Sequence, residues 1–223
     1  MALSHSPSIS TNNLVLHLDA ANRRSYPGTG NTWYDLSGFG NTCFLTNGPI
    51  LVGSGGTLAI SFDGSNDYGL VNDKASINFL GFALIAWIKF PAIPFSGIAI
   101  NKEGCYRLYV GESNTTNITA RISQSWGALT GPGSTTLQAN KWYQSVITAD
   151  GVNQKLYLNG QQDFSSISNS VSSANSSNLF IATYLGGSYF MNCQMSQIQV
   201  YNQSLSANQI KQNFNATRDR YGV

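Results

Sequence analysis

The stretch "FALIAWIKF", residues 82–90, decides the fold by how its nine side chains divide. In an extended chain, successive side chains point to opposite faces. Phe82, Leu84, Ala86, Ile88 and Phe90 then share one face, and Ala83, Ile85, Trp87 and Lys89 share the other. Both faces are mostly apolar, so this strand is expected at the centre of a sheet.

Outward from it, short apolar runs alternate with Gly, Asn, Ser and Pro punctuation. "LVLHLD" (14–19), "LAISF" (58–62), "YGLV" (68–71), "GIAINK" (97–102) and "CYRLYVG" (105–111) read as strands. So do "NITARIS" (117–123), "WYQSVITA" (142–149), "KLYLNG" (155–160), "LFIAT" (179–183) and "CQMSQIQVYN" (193–202). Many short strands with no internal helical period imply an all-β fold of two packed sheets. The Ser/Asn-rich stretch at 165–178 reads as a loose surface loop. No internal repeat and no linker stands out. In "CQMSQIQVY", Cys193 and Met195 share one phase while Ile198 and Val200 take the other. A one-residue slip of this kind predicts a β-bulge near Ser196–Gln197.

The chain then changes period. Ser206 suits a helix N-cap, with Gln209 three residues on as its capping-box partner. Leu205 and Ile210 form a hydrophobic staple, and Ile210 and Phe214 share one helical face. Arg218 and Arg220 follow, at the end of the helix dipole that favours cations. A short C-terminal helix is therefore expected to seal one edge of the sheets.

Composition narrows the function. Of 223 residues only 10% are charged, against about 25% in typical soluble domains. Aromatics reach 12%, which opposes disorder. The net charge is +2, with no Lys/Arg run, so nucleic acid is not the expected partner. Cys43, Cys105 and Cys193 are odd in number and read as free buried thiols. The first residues, "MALSHSPSISTNN", lack the basic and apolar regions of a secretory signal. No apolar run approaches the ~20 residues needed to span a bilayer. The expectation is a soluble chain made in a cytoplasm, with no membrane partner.

The stretches "LVLHLDAANRRSYPGTGNTWYDLSGFGN" (14–41), "ISFDGSNDY" (60–68), "FALIAWIKF", "KWYQSVITADG" (141–151), "KLYLNG" and "QIQVYNQSLSANQI" (197–210) occur in the order seen in laminin-G-like domains. The chain resembles these concanavalin A-like jelly rolls from Leu14 through its terminal helix. Its end, "IKQNFNATRDRYGV", resembles the tail of such domains in virion proteins of tailed bacteriophages. The resemblance implies an antiparallel jelly-roll sandwich. It also implies binding or structural roles, with sugars, calcium or protein surfaces as ligands. Members often carry an acidic pair in the closing strand, where this chain has Ser196 and Gln197.

Catalysis finds no constellation. The chain has two glutamates, Glu103 and Glu112, nine residues apart, which is not the paired spacing a glycoside hydrolase needs on one strand. His5 lies in the N-terminal arm, and His17 reads as a packed strand residue, so no Ser/His/Asp triad is expected. No metal or cofactor is expected either. Calcium is the one alternative, through loop carboxylates Asp19, Asp35, Asp63 and Asp67, although each also sits in a good turn sequence. For glycans, the loop-adjacent aromatics are Trp126, Tyr184 and Tyr189, whereas Trp33 and Tyr34 are expected to pack under the first long loop. For protein docking, Ala83 and Ile85, with Ile93 and Phe95 in the following Pro-rich segment, form an apolar outer patch unless the chain covers it. Arg218 and Arg220 would offer a second contact from the tail.

The expected organisation is a flexible arm at 1–13, a jelly-roll domain at 14–217 and a partner-facing tail at 218–223. The expected function is a non-enzymatic virion structural protein of a tailed phage, decorating the capsid or forming an appendage. It would contact other virion proteins or copies of itself. The alternative is a carbohydrate-binding module or tail adhesin for cell-surface glycans.

Overall fold

A computed structural model describes residues 7–93, 97–110, 116–122, 128–130, 132–167 and 175–223, without the side chains of 120–122, 128–130, 166 and 167. In chain order its strands are β1 (Leu14–Asp19), β2 (Thr32–Trp33), β3 (Cys43–Thr46), β4 (Ile50–Val52), β5 (Ala59–Asp63), β6 (Tyr68–Val71), β7 (Phe82–Lys89) and β8 (Gly97–Lys102). They continue with β9 (Tyr106–Val110), β10 (Ile118–Ile122), β11 (Ala128–Thr130), β12 (Trp142–Ala149), β13 (Asn153–Leu158), β14 (Gln161–Ile167), β15 (Leu179–Ile181) and β16 (Asn192–Tyr201). One helix, α1 (Ala207–Thr217), closes the set. Among the described residues these strands form two antiparallel eight-stranded sheets, a jelly-roll sandwich. The first runs β14-β13-β12-β7-β16-β5-β4, with β1 also on β16, and the second runs β11-β10-β9-β8-β15-β6-β3-β2.

As expected, "FALIAWIKF" is central, with β7 lying between β12 and β16. Its first face, Phe82, Leu84, Ala86, Ile88 and Phe90, enters the core between the sheets. The predicted bulge is also present: β16 pairs continuously with β7 except for a shift between Met195 and Gln197. That shift lets β16 change neighbour, pairing with β5 through Met195 and with β1 from Gln197 onward. The three cysteines are free and buried.

The second face of β7 is not a docking surface, and the expected patch is corrected here. Ala83 and Ile85 are fully buried in a satellite cluster with Leu205 and Ile210. The cover is α1, whose N-cap is Ser206 in a complete capping box with Gln209. The Trp87 indole donates to Thr217 Oγ1 at 2.9 Å and stacks on Tyr221 with ring centroids 4.0 Å apart. Apolar side chains from the far end of the chain thus supply the apolar cover that this face requires. Ile93 is half-buried against the main core, and Phe95 lies outside the described residues.

The segments flanking the domain are tied down as well. Ser10 N–H donates to Asn213 Oδ1 at 2.7 Å, Gln212 Nε2 donates to Ser8 O at 2.8 Å, and Tyr201 OH donates to Ser10 O at 2.8 Å. At the other end Tyr221 is buried, and Arg220 holds Asp19 with contacts of 2.8 and 2.9 Å. The tail is therefore part of the fold rather than an arm reaching for a partner. Arg218 is exposed beside Asp219, 3.7 Å away.

Candidate functional site

With one face of the first sheet sealed by α1, the outer face of the second sheet is the surface the fold leaves for a ligand. A row of directly opposed residues crosses it, running Thr32, Phe44, Leu70, Phe180, Asn101 and Arg107. Strands are spaced about 4.8 Å apart, so this row extends roughly 24 Å. Its β2 end is open, with Phe44 41% exposed, whereas Asn101 and Arg107 at the other end are buried.

Arg107 organises the buried end. "CYRLYVG" puts Tyr106, Leu108 and Val110 into the core, so Arg107 and Tyr109 face outward. Arg107 Nε donates to Asn101 Oδ1 at 2.6 Å and Nη1 to Tyr109 OH at 2.7 Å, while Nη2 pairs with Glu103. Its guanidinium also lies 4.7 Å from the centroid of the Tyr184 ring, a cation–π distance. Two polar atoms on this buried surface, Asn101 Nδ2 and Thr119 Oγ1, make no hydrogen bond to the described residues. Such orphans are costly inside a protein.

Tyr184 and Tyr189 were read from the sequence as loop-adjacent aromatics, and the structure sets them against each other. A short bridge joins Tyr184 to Ser188. The two rings meet edge to face, 6.2 Å apart, and Tyr189 stays 56% exposed. The loop holds three non-glycine residues at positive φ: Ala182 at 63°, Leu185 at 54° and Tyr189 at 49°. Gly186 also has positive φ (72°), and a Cβ there would press on the Tyr68 and Phe180 rings at 3.2 and 3.4 Å. The loop therefore sits against the sheet's outer face in a conformation most residues avoid. Sequence reading missed Arg107, Asn101 and Tyr109. The alternation in "YRLYV" carries the signal, because a strand with one apolar phase puts Arg and Tyr together on the other. The remaining glycan candidate, Trp126, lies outside the described residues.

The proposed metal ligands are each engaged internally. Asp35 accepts from His17 N, Ser37 N, Ser37 Oγ and Asn41 N, at 2.7–2.9 Å. Asp63 Oδ1 accepts from the backbone of Ser65 and Asn66, which holds its carboxyl below the ordinary range. Asp67 Oδ2 accepts from Asp63 N, and burial with the nearby Asp63 charge pushes its carboxyl up. Burial pushes the Asp19 carboxyl up, but Arg220 and Gln197 outweigh it and bring the net shift below the usual value. Among the described residues no group of three or more His, Cys, Asp or Glu could hold a metal ion. In the closing strand, Ser196 Oγ accepts from Tyr221 OH at 3.0 Å and Gln197 Nε2 donates to Asp19 at 2.7 Å. Glu103 is the one glutamate among the described residues, and it is bound to Arg107.

The fold is a lectin-like jelly-roll sandwich. The chain belongs to the concanavalin A-like lectin/glucanases superfamily, whose family profile matches residues 63–211. A search of curated protein sequences finds no match. Among solved structures, the binding domain of Paraclostridial Mosquitocidal Protein 1 superposes with a TM-score of 0.73 at 18% identity, over 92% of this chain and 52% of that one. The binding domain of botulinum neurotoxin DC, seen in complex with rat synaptotagmin II, gives 0.71 at 14% identity, over 94% and 52%. Trypanosoma rangeli sialidase in complex with the inhibitor DANA gives 0.68 at 15% identity, over 95% and 35%. The chain spans about half the length of these toxin domains. At such identities the likeness shows the fold.

Proposed function

We propose that this chain is a non-enzymatic domain that binds an oligosaccharide on the outer face of its second sheet. The observation that carries the reading is Tyr189, 56% exposed and braced edge-on by Tyr184, itself seated on Arg107. A ring held in place while open to water suits the apolar CH face of a sugar. The strained loop supports the reading, since left-handed backbone at non-glycine residues concentrates at ligand-binding segments. The toxin neighbours support it at the level of fold, because their names describe binding domains. Against hydrolysis stands Glu103, which is paired with Arg107 rather than with a second carboxylate.

A glycan array probed with the labelled chain tests this. Tyr189→Ala should lose signal by about five- to tenfold, since one stacking ring contributes on the order of 1–1.5 kcal/mol. Thermal stability should stay nearly unchanged, because the ring is largely exposed. An array without signal, or equal signal from the variant, would remove the proposal.

The narrower expectation, a virion protein of a tailed phage assembled in the host cytoplasm, is supported by the resemblance of residues 210–223 alone. Ile85 and Arg220, expected to meet virion partners, have partners within the chain. The binding reading is therefore preferred, and a virion setting would be the place where such binding is used.

A further inference from the structure

At the opposite margin of the same face, beside edge strand β2, lies a cleft of about 500 Å³. We infer that it is a second binding site, for a saccharide that carries a carboxylate. The inference stands on the cleft's own lining and not on the Tyr184–Tyr189 ledge.

Two rings flank the cleft. Phe44 is directly opposite Thr32, and Tyr34 follows Thr32 by two residues on the same side. Trp33, between them, is fully buried. The alternation that sends Trp33 inward sends Tyr34 outward, so Tyr34 is 46% exposed rather than packed as the sequence suggested. Phe44, at 41%, leaves a second apolar ring in water across the cleft. Paired rings with polar groups between them suit a ligand with apolar faces and a hydroxylated rim.

The polar lining has hydrogen-bonding capacity to spare. Asn72, Thr42 and the Tyr34 hydroxyl line the cleft, and no side-chain hydrogen bond joins them to the described residues. The wall behind them is fixed. Asn41 is buried, donating to Val15 O at 2.6 Å and accepting from Ser76 Oγ at 3.0 Å. Asp35 pins the same loop through Asn41 N at 2.9 Å. A rigid wall bearing free donors costs little to order on binding.

Charge narrows the ligand. Lys74 is the one ionisable group with a full charge in the lining, which contains no carboxylate. Its ammonium has three donors, and one goes to Gly40 O at 2.5 Å. Its neighbour Asp73 is occupied elsewhere, accepting from Lys102 Nζ at 2.7 Å and Asn78 Nδ2 at 2.9 Å. The cleft lining therefore combines one positive charge, without a carboxylate in the same lining, with two part-exposed rings. One lysine without an arginine cluster or a helix N-terminus is too little for a phosphate cradle. It is enough for a single carboxylate on a sugar ring.

The test is an NMR titration of the isotope-labelled chain with 3′-sialyllactose, and with lactose as the uncharged control. Sialyllactose should shift the amides of Gly40, Asn72 and Lys74, and lactose should bind there at least about fivefold more weakly, as expected on losing a charge-assisted contact. Lys74→Gln should erase that difference, Tyr34→Ala with Phe44→Ala should abolish both responses, and Tyr189→Ala should leave them intact. Both rings are half exposed, so melting temperatures of all variants should stay close to that of the parent. The inference is overturned if no cleft amide shifts, or if the two sugars bind alike and Lys74→Gln changes nothing. It is equally overturned if the response follows Tyr189, which would leave only the tyrosine ledge as a binding site.

Discussion

At the scale of single residues, the pairing of Asp19 with Arg220 joins the first strand to the end of the chain. The two guanidinium contacts, at 2.8 and 2.9 Å, are joined by Gln197 on the same carboxylate and by Gly56 O on Arg220 Nε. Arg220→Ala would leave a largely buried carboxylate with only the Gln197 amide and the Ala21 N–H as donors and no charge partner. Breaking such a pair costs about 3 kcal/mol when fully enclosed, and about 2 here, because the arginine is part exposed. Urea denaturation at neutral pH measures it. The pH dependence carries a sign. Burial raises the Asp19 carboxyl, but Arg220 and Gln197 bring it net below its usual value. A depressed carboxylate stabilises the fold above the unfolded-state value, and that stabilisation is lost as pH falls through the folded one. The parent should lose stability as pH drops below the ordinary aspartate range, and Arg220→Ala should show a flatter acid limb. His17, lowered chiefly by burial and opposed by Asp19 and Asp35, adds a loss of the same sign that begins below about 6.5 in both proteins. An acid limb equally steep in the variant would mean that Arg220 does not set the Asp19 titration.

At the scale of elements, the terminal helix and the turn beyond it act as one cover. Ser206→Ala should cost about 1 kcal/mol through the lost cap, and Phe214→Ala about 3 kcal/mol, since that ring is buried beside Trp87. Deleting residues 218–223 should lower the melting temperature at least as much as Phe214→Ala. It removes the Tyr221 ring from Trp87 and the Arg220 partner of Asp19 together. A deletion without thermal effect would return the tail to the partner-facing role first expected of it. The reversal shows which parts of the fold were legible. The centrality of β7, the bulge at Ser196 and the Ser206–Gln209 capping box depend on neighbours within a few residues, and each could be read from spacing. Strands β2, β3, β4 and β11 have two to four residues, too few to display alternation, and were missed. The hairpin strand β14 was partly taken for loop because Ser165 and Ser166 suit either state. What covers Ile85, and what holds Arg220, depends on contacts across more than a hundred residues, where spacing carries no signal. The site was legible in the same measure: Tyr184 and Tyr189 stood out as loop aromatics, while Arg107, paired with Asn101 only across two strands, did not.

At the scale of the whole molecule, the sandwich is asymmetric. One outer face is closed by α1, and the other carries both proposed exposed-ring sites, so the proposed binding and the stabilising cover lie on different surfaces. The loops between strands then need an internal source of rigidity, and carboxylates provide it. Asp35 closes the loop after β2 through four hydrogen bonds, Asp63 and Asp67 close the β5–β6 hairpin, and Asp150 accepts from the backbone of Val152 and Asn153 between β12 and β13. Burial and the Asp63 charge both raise the Asp67 carboxyl, so that pair repels, while backbone donors close the hairpin. If these bonds are sufficient, a chelator has nothing to remove. EDTA should leave the melting temperature unchanged, and calcium added afterwards should not raise it. An ion bound only to the native state would stabilise it by linkage, about 2.7 kcal/mol at a hundredfold excess over the dissociation constant. That corresponds to several degrees for a domain of this size. Such a drop under EDTA, restored by calcium, would mean that an ion binds, and Asp63→Asn tested against Asp35→Asn would then locate it. The hairpin variant losing the calcium response would place the ion between Asp63 and Asp67, and the loop variant losing it would place the ion beside the Tyr34–Phe44 cleft.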